Sequence, residues 1–472
     1  MPNGAIDMVG QRLSMPAEAV PRRPRGSGAL DTQVVRSLVY LSQAALDLLA
    51  LGLGFTIADY LRHGVVGVTV DATLFAVGGP IFLLVSFYSG VYSYETAMSA
   101  GRAVGRMATA LAVTLALNLL VVFAAKESAD ISRAVFFMGA GISFVLLAAT
   151  RLPITWVVRD VVGKRFMRRV LVVDGRAVDL PATFELIDAE RIGLVPDVHN
   201  PIMLHNFSSL IAGADRVIVS CPPERRERWS VYLKGAGCWG ELLVPELHGV
   251  APLHDEPDLG LVGIQVSAGP LSLRNRVIKR MLDLALSVPV IVLLTPIFLV
   301  VAIAIKLDSR GPVLFRQRRM GRGNRLFDVY KFRSMRVELA DSDGARSASR
   351  GDDRITRVGR FIRATSIDEL PQLFNVLEGD MSLVGPRPHA LGSLAGSQLF
   401  WQIDQRYWLR HAIKPGITGL AQVRGYRGAT DHEDDLANRL RCDLEYVANW
   451  TLVRDLTILI RTALVLVHKN AY

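Results

Sequence analysis

The sequence predicts a three-part membrane protein: an α-helical membrane region of four spanning helices, a doubly wound α/β domain, and a mainly α C-terminal domain with a re-entrant membrane hairpin. Three observations carry this prediction. Of 472 residues, 50% are hydrophobic and the mean hydropathy is +0.30, too apolar for an ordinary soluble protein and too long for one domain. From Arg169 the text changes to RRVLVVDG, DRVIVSCPP and GELLVPEL, short β-rich runs separated by helical lengths. A last apolar run, Met281–Ile305, lies between two basic flanks and is interrupted by prolines.

Residues 1–33 are rich in Pro, Gly and Arg and lack a signal-peptide core, so a disordered, uncleaved cytoplasmic tail is expected. Residues 34–160 hold apolar segments near Leu38–Tyr60, Val70–Val91, Val104–Ala125 and Ala134–Val158, each close to the ~20 residues a spanning helix needs. The tail, the second loop (Arg102, Arg106) and the stretch after the fourth segment (Arg159, Lys164, Arg165, Arg168, Arg169) are basic and therefore cytoplasmic. Asp47, Asp59 and Asp71 are expected to serve helix packing or the interface rather than an ion pathway. Residues 165–252 read as a small Rossmann-like domain. Its first strand is followed by Asp174-Gly175-Arg176-Ala177-Val178-Asp179, which is not a dinucleotide fingerprint, so a structural or regulatory module is expected, dispensable for chemistry but not of necessity for stability or assembly. Residues 253–273 read as a linker.

The C-terminal domain, 274–472, opens on Arg274, Arg276, Lys279 and Arg280, then the apolar run 281–305, then Lys306; nine Lys or Arg against one acid follow between Arg310 and Arg336. Two cytoplasmic flanks contradict a straight spanning helix, whereas Pro289 and Thr295-Pro296 supply a bend. A re-entrant segment reconciles length, charge and proline; a kinked fifth spanning helix is the alternative. KLDSRGPVLFRQRRMG and NRLFDVYKFRSM are expected to run along the membrane surface, with Lys331 and Arg333 facing phosphates. Ser347–Arg354 reads as a polar loop, and Lys414–Gly419 as turn chemistry. Trp401, Trp408 and Trp450 are expected at the membrane interface.

Arg363 to His389 reads as the active site. Pro371 fits a helix only in its first turn, which puts Asp368 at or beside the N-cap, and Asp368 and Glu369 face Arg354, Arg357, Arg360, Arg363 and Arg387, guanidinium groups suited to phosphate oxygens. A bare capping role for these acids is the plainer alternative. The net charge of +10 fits anionic lipid and phosphate; nucleic acid is not an expected partner. Cys221, Cys238 and Cys442 form neither a metal-ligand spacing nor a disulfide framework.

SIDELPQLFNVLEGDMSLVGPRP, with YKFRSM at Tyr330–Met335 and KPGITGLAQVRGYRG at Lys414–Gly428, resembles the bacterial sugar transferases. These are polyprenyl-phosphate hexose-1-phosphate transferases of the monotopic phosphoglycosyl transferase superfamily, here of the large type with a membrane domain. The resemblance runs from about Val277 to the C-terminus. It implies transfer of hexose-1-phosphate from a UDP-sugar to undecaprenyl phosphate, releasing UMP, in surface glycan synthesis. It further implies attack by Asp368, Mg²⁺ held by Glu369, and a hairpin break where Thr295-Pro296 stands, Thr replacing the family's Ser. Lys331, Arg333, Arg363 and Arg387 are then expected on substrate phosphates, and Arg424, Tyr426 and Arg427 on nucleotide or sugar. GLAQVRGYRG followed by Asp431–Asp435 resembles the glucose-1-phosphate branch. The expected place is the bacterial inner membrane, multi-pass, with the catalytic domain cytoplasmic among membrane lipids; a homodimer is left open. The rival readings are a membrane glycosyltransferase releasing UDP and a non-catalytic assembly protein.

Overall fold

The computed structural model describes residues 32–64, 70–124, 132–163, 166–175, 184–247, 255–256, 261–336, 352–396, 398–426 and 433–467. Two compact units result, one within Gly26–Arg168 and one built from Arg169–Tyr472.

The first unit has helices at the four predicted places: α1 (Thr32–His63), α2 (Val70–Ser89), α3 (Ala100–Ala124) and α4 (Arg133–Trp156), the last running on through a π-helical turn, Val157–Val162. Of these, α1, α3 and α4 contain stretches long and apolar enough to cross a membrane. Small residues let α1 and α4 approach closely: a Cβ on Gly54 would lie 2.7 Å from Ser143 N, and one on Gly139 would meet the Phe55 ring at 2.5 Å. Asp47 is buried and accepts from Arg151 (2.9 Å) and from the Tyr92 hydroxyl (3.0 Å), so it serves helix packing. Asp59 bonds His63 one turn on (2.7 Å); the side chain of Asp71 lies outside the described residues.

The second unit opens with a six-stranded sheet in the order β2-β1-β3-β4-β6-β5. Strands β1 (Arg169–Val173), β2 (Glu185–Asp188), β3 (Arg216–Ser220) and β4 (Trp239–Leu243) are parallel; β5 (Asp255–Glu256) and β6 (Leu261–Ala268) are antiparallel. Val170–Val172 and Val217–Val219 are completely or nearly buried, as near-continuous apolar runs in a covered parallel sheet should be. Connecting helices are α5 (Pro201–Leu210), capped by the Asn200 side chain with Pro201 at its first position, and α6 (Arg226–Ala236), ended by left-handed Gly237 (φ 63°). The expected linker 253–273 is corrected: β5 and β6 occupy much of it and complete the sheet. Asp174 is buried and committed to Arg225 and to Trp229 Nε1 (2.8 Å); residues 176–183 of the segment that follows lie outside the described residues.

The middle domain is also not separable. Val170, Val217, Leu204, Phe207, Trp229 and Tyr232 share one core cluster with Phe400, Trp401, Tyr407, Trp408 and Leu436. Trp408 is 0% exposed and donates to Val198 O (2.8 Å). Trp401 and Trp408 therefore fill the seam between the sheet and the C-terminal domain instead of a membrane interface. Removing the sheet would strip this core, so the domain supports the stability of the C-terminal body.

The C-terminal domain begins with α7, Leu273–Asp308, a 36-residue helix capped by Ser272. Pro289 and Pro296 lie inside it, and the Thr295 hydroxyl bonds back to Ile291 O (2.9 Å). The helix is therefore continuous through Thr295-Pro296, where a break was expected. Both of its ends are tied to the same body. Lys279 donates to Val384 O (2.9 Å), Arg280 to Leu377 O (2.7 Å), and Val301 and Ile305 pack with Phe332 and Ile362. Between the ends the surface is apolar and open, with Leu293 77% exposed. KLDSRGPVLFRQRRMG and NRLFDVYKFRSM do not run along a surface as an amphipathic segment; they pair as a hairpin, β7 (Leu314–Met320) with β8 (Leu326–Phe332), from Leu314↔Phe332 to Met320↔Leu326. Residues 337–351 lie outside the described residues. The site helices α8 (Arg357–Ala364) and α9 (Gln372–Glu378) follow, then β9 (Ser382–Val384) in parallel pairing with β10 (Gly416–Thr418), α10 (Glu433–Ala448) and α11 (Leu452–Val467). Half of the turn expected at Lys414–Gly419, Gly416–Thr418, is thus strand. Its glycines allow close backbone approach: a Cβ on Gly416 would fall 2.0 Å from Gly385 N.

Candidate active site

Asp368 and Glu369 sit in a 3₁₀ turn, Ile367–Glu369, entered through Ser366 in the left-handed region (φ 56°), a conformation that costs a non-glycine residue energy and clusters at functional sites. The turn runs into α9 through Phe374 N→Pro371 O (3.0 Å), with Pro371 at the N-cap. Asp368 therefore precedes the cap instead of forming it, and Ser366 makes no side-chain cap bond. Neither acid is spent on capping.

Asn375 registers this helix against the hairpin. Its side-chain amide donates to Asp328 O (2.7 Å) and accepts from Tyr330 N (2.9 Å), copying a strand's pairing pattern. The next residue, Lys331, then reaches Glu369 Oε1 (2.8 Å). From the other side, Arg387 grips both Glu369 oxygens, Oε2 at 3.2 Å and Oε1 closer still. The Pro386-Arg387-Pro388 turn is itself held by its carbonyls: Arg410 donates to Arg387 O (2.7 Å) and Arg319 to Pro388 O. Arg410 is fixed in turn by buried Asp443 (2.6 Å).

The two acids end up different. Burial raises the Glu369 carboxyl, but Arg387 and then Lys331 outweigh it and hold the group well below the usual carboxylate range. Asp368 is 9% exposed and makes no hydrogen bond or ion pair to the described residues. Burial pushes its carboxyl up, with Lys331, Arg363 and Arg387 opposing and Glu369 reinforcing. Arg319, its own guanidinium pushed down to about 10 by burial and by Arg387, adds to the positive field. Four cations around two carboxylates make a site for anions.

Lys331, Arg363 and Arg387 thus converge with Asp368 and Glu369, and Tyr426 lines a small pocket together with Arg387, Gln422 and Asp443. Two expected phosphate or nucleotide ligands are elsewhere. Arg333 is buried and spends its guanidinium on Ile305 O (3.3 Å), Ser309 O (2.7 Å) and Arg310 O (2.5 Å), closing the C-terminal end of α7. Arg424 is paired with Glu445 (2.5 and 2.9 Å). Arg427 lies outside the described residues, and Thr295 and Pro296 sit mid-way along α7. The sequence reading missed Asn375, Arg319 and the Arg410–Asp443 pair. Only Asn375 carried a local signal, a polar residue on the buried side of FNVLEG.

The described residues contain no group of three His, Cys, Asp or Glu that could hold a metal ion. The donor set nevertheless suits a hard cation that brings most of its ligands as water and phosphate, since such an ion asks the protein for one or two carboxylates.

Comparison with known proteins gives the family. The bacterial sugar transferase model matches residues 274–469, and a CoA-binding domain model matches residues 88–186. The chain is 53% identical over 193 residues to an undecaprenyl-phosphate glucose phosphotransferase of Komagataeibacter xylinus, covering 41% of this chain and 36% of that protein. It is 49% identical over 186 residues to the exopolysaccharide production protein PSS of Rhizobium leguminosarum bv. phaseoli, covering 39% of this chain and 93% of that protein. A UDP-glucose:undecaprenyl-phosphate glucose-1-phosphate transferase of Caulobacter vibrioides is 49% identical over 195 residues, 41% of this chain and 72% of its own. The chain thus spans little more than a third of the Komagataeibacter protein and nearly all of the Rhizobium one. The long apolar helices and this kinship make it a membrane protein. With the Asp368-Glu369 cluster inside the matched stretch, the chain belongs to the bacterial sugar transferase family.

Proposed function

We propose that this protein transfers glucose-1-phosphate from UDP-glucose to undecaprenyl phosphate, releasing UMP and forming undecaprenyl-diphospho-glucose for surface glycan synthesis at the bacterial inner membrane. The observation that carries the reading is the inequality of the two acids: Glu369 is neutralised by Lys331 and Arg387, while Asp368 has no hydrogen-bond partner for its carboxylate among the described residues of the same cationic site. The names of the Komagataeibacter and Caulobacter relatives support glucose and the lipid acceptor.

In this mechanism Lys331, Arg363 and Arg387 draw in the diphosphate, and one Asp368 oxygen attacks the sugar-bearing phosphorus. The P–O bond to UMP breaks, leaving a mixed anhydride between Asp368 and the phospho-sugar. An oxygen of the lipid phosphate then attacks the same phosphorus and returns the Asp368 carboxylate. Two steps let the anionic substrates meet the site one at a time. Glu369 is the residue assigned to Mg²⁺, which would offset diphosphate charge when bound and release Lys331 or Arg387 to the phosphates. The exposed middle of α7, with both ends tied to the catalytic body, supports a segment that enters and leaves the membrane on the cytoplasmic face. Cysteines at Ser272 and Ser309 should then both be shielded from an impermeant periplasmic reagent; labelling of position 309 alone would make α7 a spanning helix.

The deciding assay offers the full-length protein undecaprenyl phosphate and a panel of UDP-sugars. UMP release with UDP-glucose is expected. UDP release would make it a glycosyltransferase, neither nucleotide would make it an assembly protein, and preference for UDP-galactose or a UDP-N-acetylhexosamine would overturn the choice of glucose.

A further inference from the structure

A second basic cleft lies at the foot of α7, lined by Leu271, Val277, Met281, Arg322, Ile413 and Lys414, with Arg276, Lys279, Arg280 and Asp283 completing its wall. Most of its charges are already committed. Lys279 is bonded to Asp455 (2.6 Å), Arg280 to the last carbonyls of α9, and Asp283 to Ser382 Oγ and Leu383 N (2.9 Å each). Arg322 and Lys414 are not: both are half-buried, and neither has a hydrogen bond or ion pair among the described residues. Lys414 Nζ and Arg280 Nη2 come within 3.4 and 3.7 Å of one point above Gly379, so these cations converge. Burial, then Arg280 and Arg322, lower the Lys414 ammonium to about 8, and burial with Arg276 and Arg325 lowers Arg322 to about 10. Half-buried cations that repel one another are stabilised by an anion.

The position separates this cleft from the chemistry. Arg280 grips the C-terminal carbonyls of α9, Val376 and Leu377, whereas Asp368 precedes its N-terminus, so the two places are separated by the length of a seven-residue helix, about 10 Å. The other wall is apolar and opens onto the membrane helix: Met281 is 64% exposed and begins the run that leads to the open surface around Leu293. A small phosphate would use only the cations. A phospholipid would use both walls, its phosphate on Arg322 and Lys414 and its acyl chains along Met281 and the following turns.

We propose that this cleft is a binding site for the phosphate of an anionic membrane phospholipid, distinct from the reaction site and seating the foot of α7 at headgroup level.

The test titrates the full-length protein in detergent with phosphatidylglycerol, phosphatidylcholine and polyprenyl phosphate, reading bound lipid by native mass spectrometry, with inorganic phosphate as competitor. One tightly held phosphatidylglycerol per chain is expected, preferred over phosphatidylcholine. R322Q/K414Q should weaken it by about thirtyfold, as loss of two headgroup charges requires, while R322K/K414R retains it. Equal binding to wild type and R322Q/K414Q would overturn the proposal. Displacement by millimolar inorganic phosphate would make the cleft a free-anion site, and preference for polyprenyl phosphate would make it an acceptor subsite; either result also overturns it. Should R322Q/K414Q fail to fold, M281E decides: it keeps both cations but puts an acid against the lipid, and undiminished phosphatidylglycerol binding would equally refute the site.

Discussion

Asp368 and Asp455 are both buried carboxylates beside a lysine, and they differ in what their oxygens accept. Asp455 is saturated: Oδ2 takes Lys279 (2.6 Å) and Trp450 Nε1 (3.0 Å), and Oδ1 takes the Tyr446 hydroxyl (2.5 Å). It bolts α11 to the foot of α7. Asp368 has cations around it but no bond to any of them. A satisfied buried charge holds a structure in place, whereas one left unsatisfied is a destabilising group kept for its reactivity.

The largest expected effect tests that difference directly. Asp368→Asn should lower UMP release by at least about 10³-fold, as loss of a nucleophile does, and abolish a labelled phospho-sugar adduct on the protein. A normal adduct in a preparation checked for deamidation would show that another group attacks. The same variant should melt at a higher temperature than wild type. Because burial raises the folded carboxyl above its ordinary 3.8, Asp368 favours the fold at low pH and loses that contribution as pH rises through the folded value, so at neutral pH the ionised group is a cost. An unchanged or lower melting temperature would contradict the unsatisfied state of Asp368.

Asp455→Asn should act in the opposite sense, lowering stability by about 3 kcal/mol because Lys279 is left buried without its counter-charge; chemical denaturation in detergent measures it, and a loss under 1 kcal/mol would remove the distinction. Glu369→Gln should lower turnover by roughly 10²-fold, as loss of one preorganised electrostatic group does, and weaken the dependence on Mg²⁺; intact metal dependence would separate Glu369 from the cation. The acid limb of kcat/KM should lie above the ordinary Asp value of 3.8, since Asp368 must be ionised to attack, and a limb at or below that value would contradict its raised carboxyl. The smallest effect belongs to Arg424→Gln. Its pair with Glu445 lies at the surface and is worth about 1 kcal/mol or less, so KM for the UDP-sugar should stay nearly constant; a tenfold rise would restore Arg424 to the nucleotide site.

Local chemistry made much of this legible. Apolar length placed the four N-terminal helices, β-rich runs placed the parallel strands, and adjacent acids among arginines marked the site. Arg387 between two prolines was readable as well, because a rigid turn needs no distant partner. The two cations of YKFRSM could not be told apart by role: Lys331 and Arg333 stand two apart, and only the folded chain sends one to Glu369 and the other to the carbonyls ending α7. The same holds for Trp401 and Trp408, since hydrophobic character predicts burial but not the partner.

The elements with a local cause follow from the order of residues alone: helices long enough to cross a membrane, strands apolar on both faces, and a proline-braced turn beside paired acids. Everything that depends on contacts between distant segments was set in folding. Packing merged the sheet and the C-terminal domain through Trp408 and Tyr232 in one core, and strand pairing turned the expected linker into β6. Charge pairing made Asp368 and Glu369 unequal, because Lys331 and Arg387, 38 and 18 residues away in sequence, both close on Glu369. Propensity and periodicity act over a few neighbouring residues, whereas burial and charge pairing act over a few ångströms of space, and only the folded chain brings those residues within reach of one another.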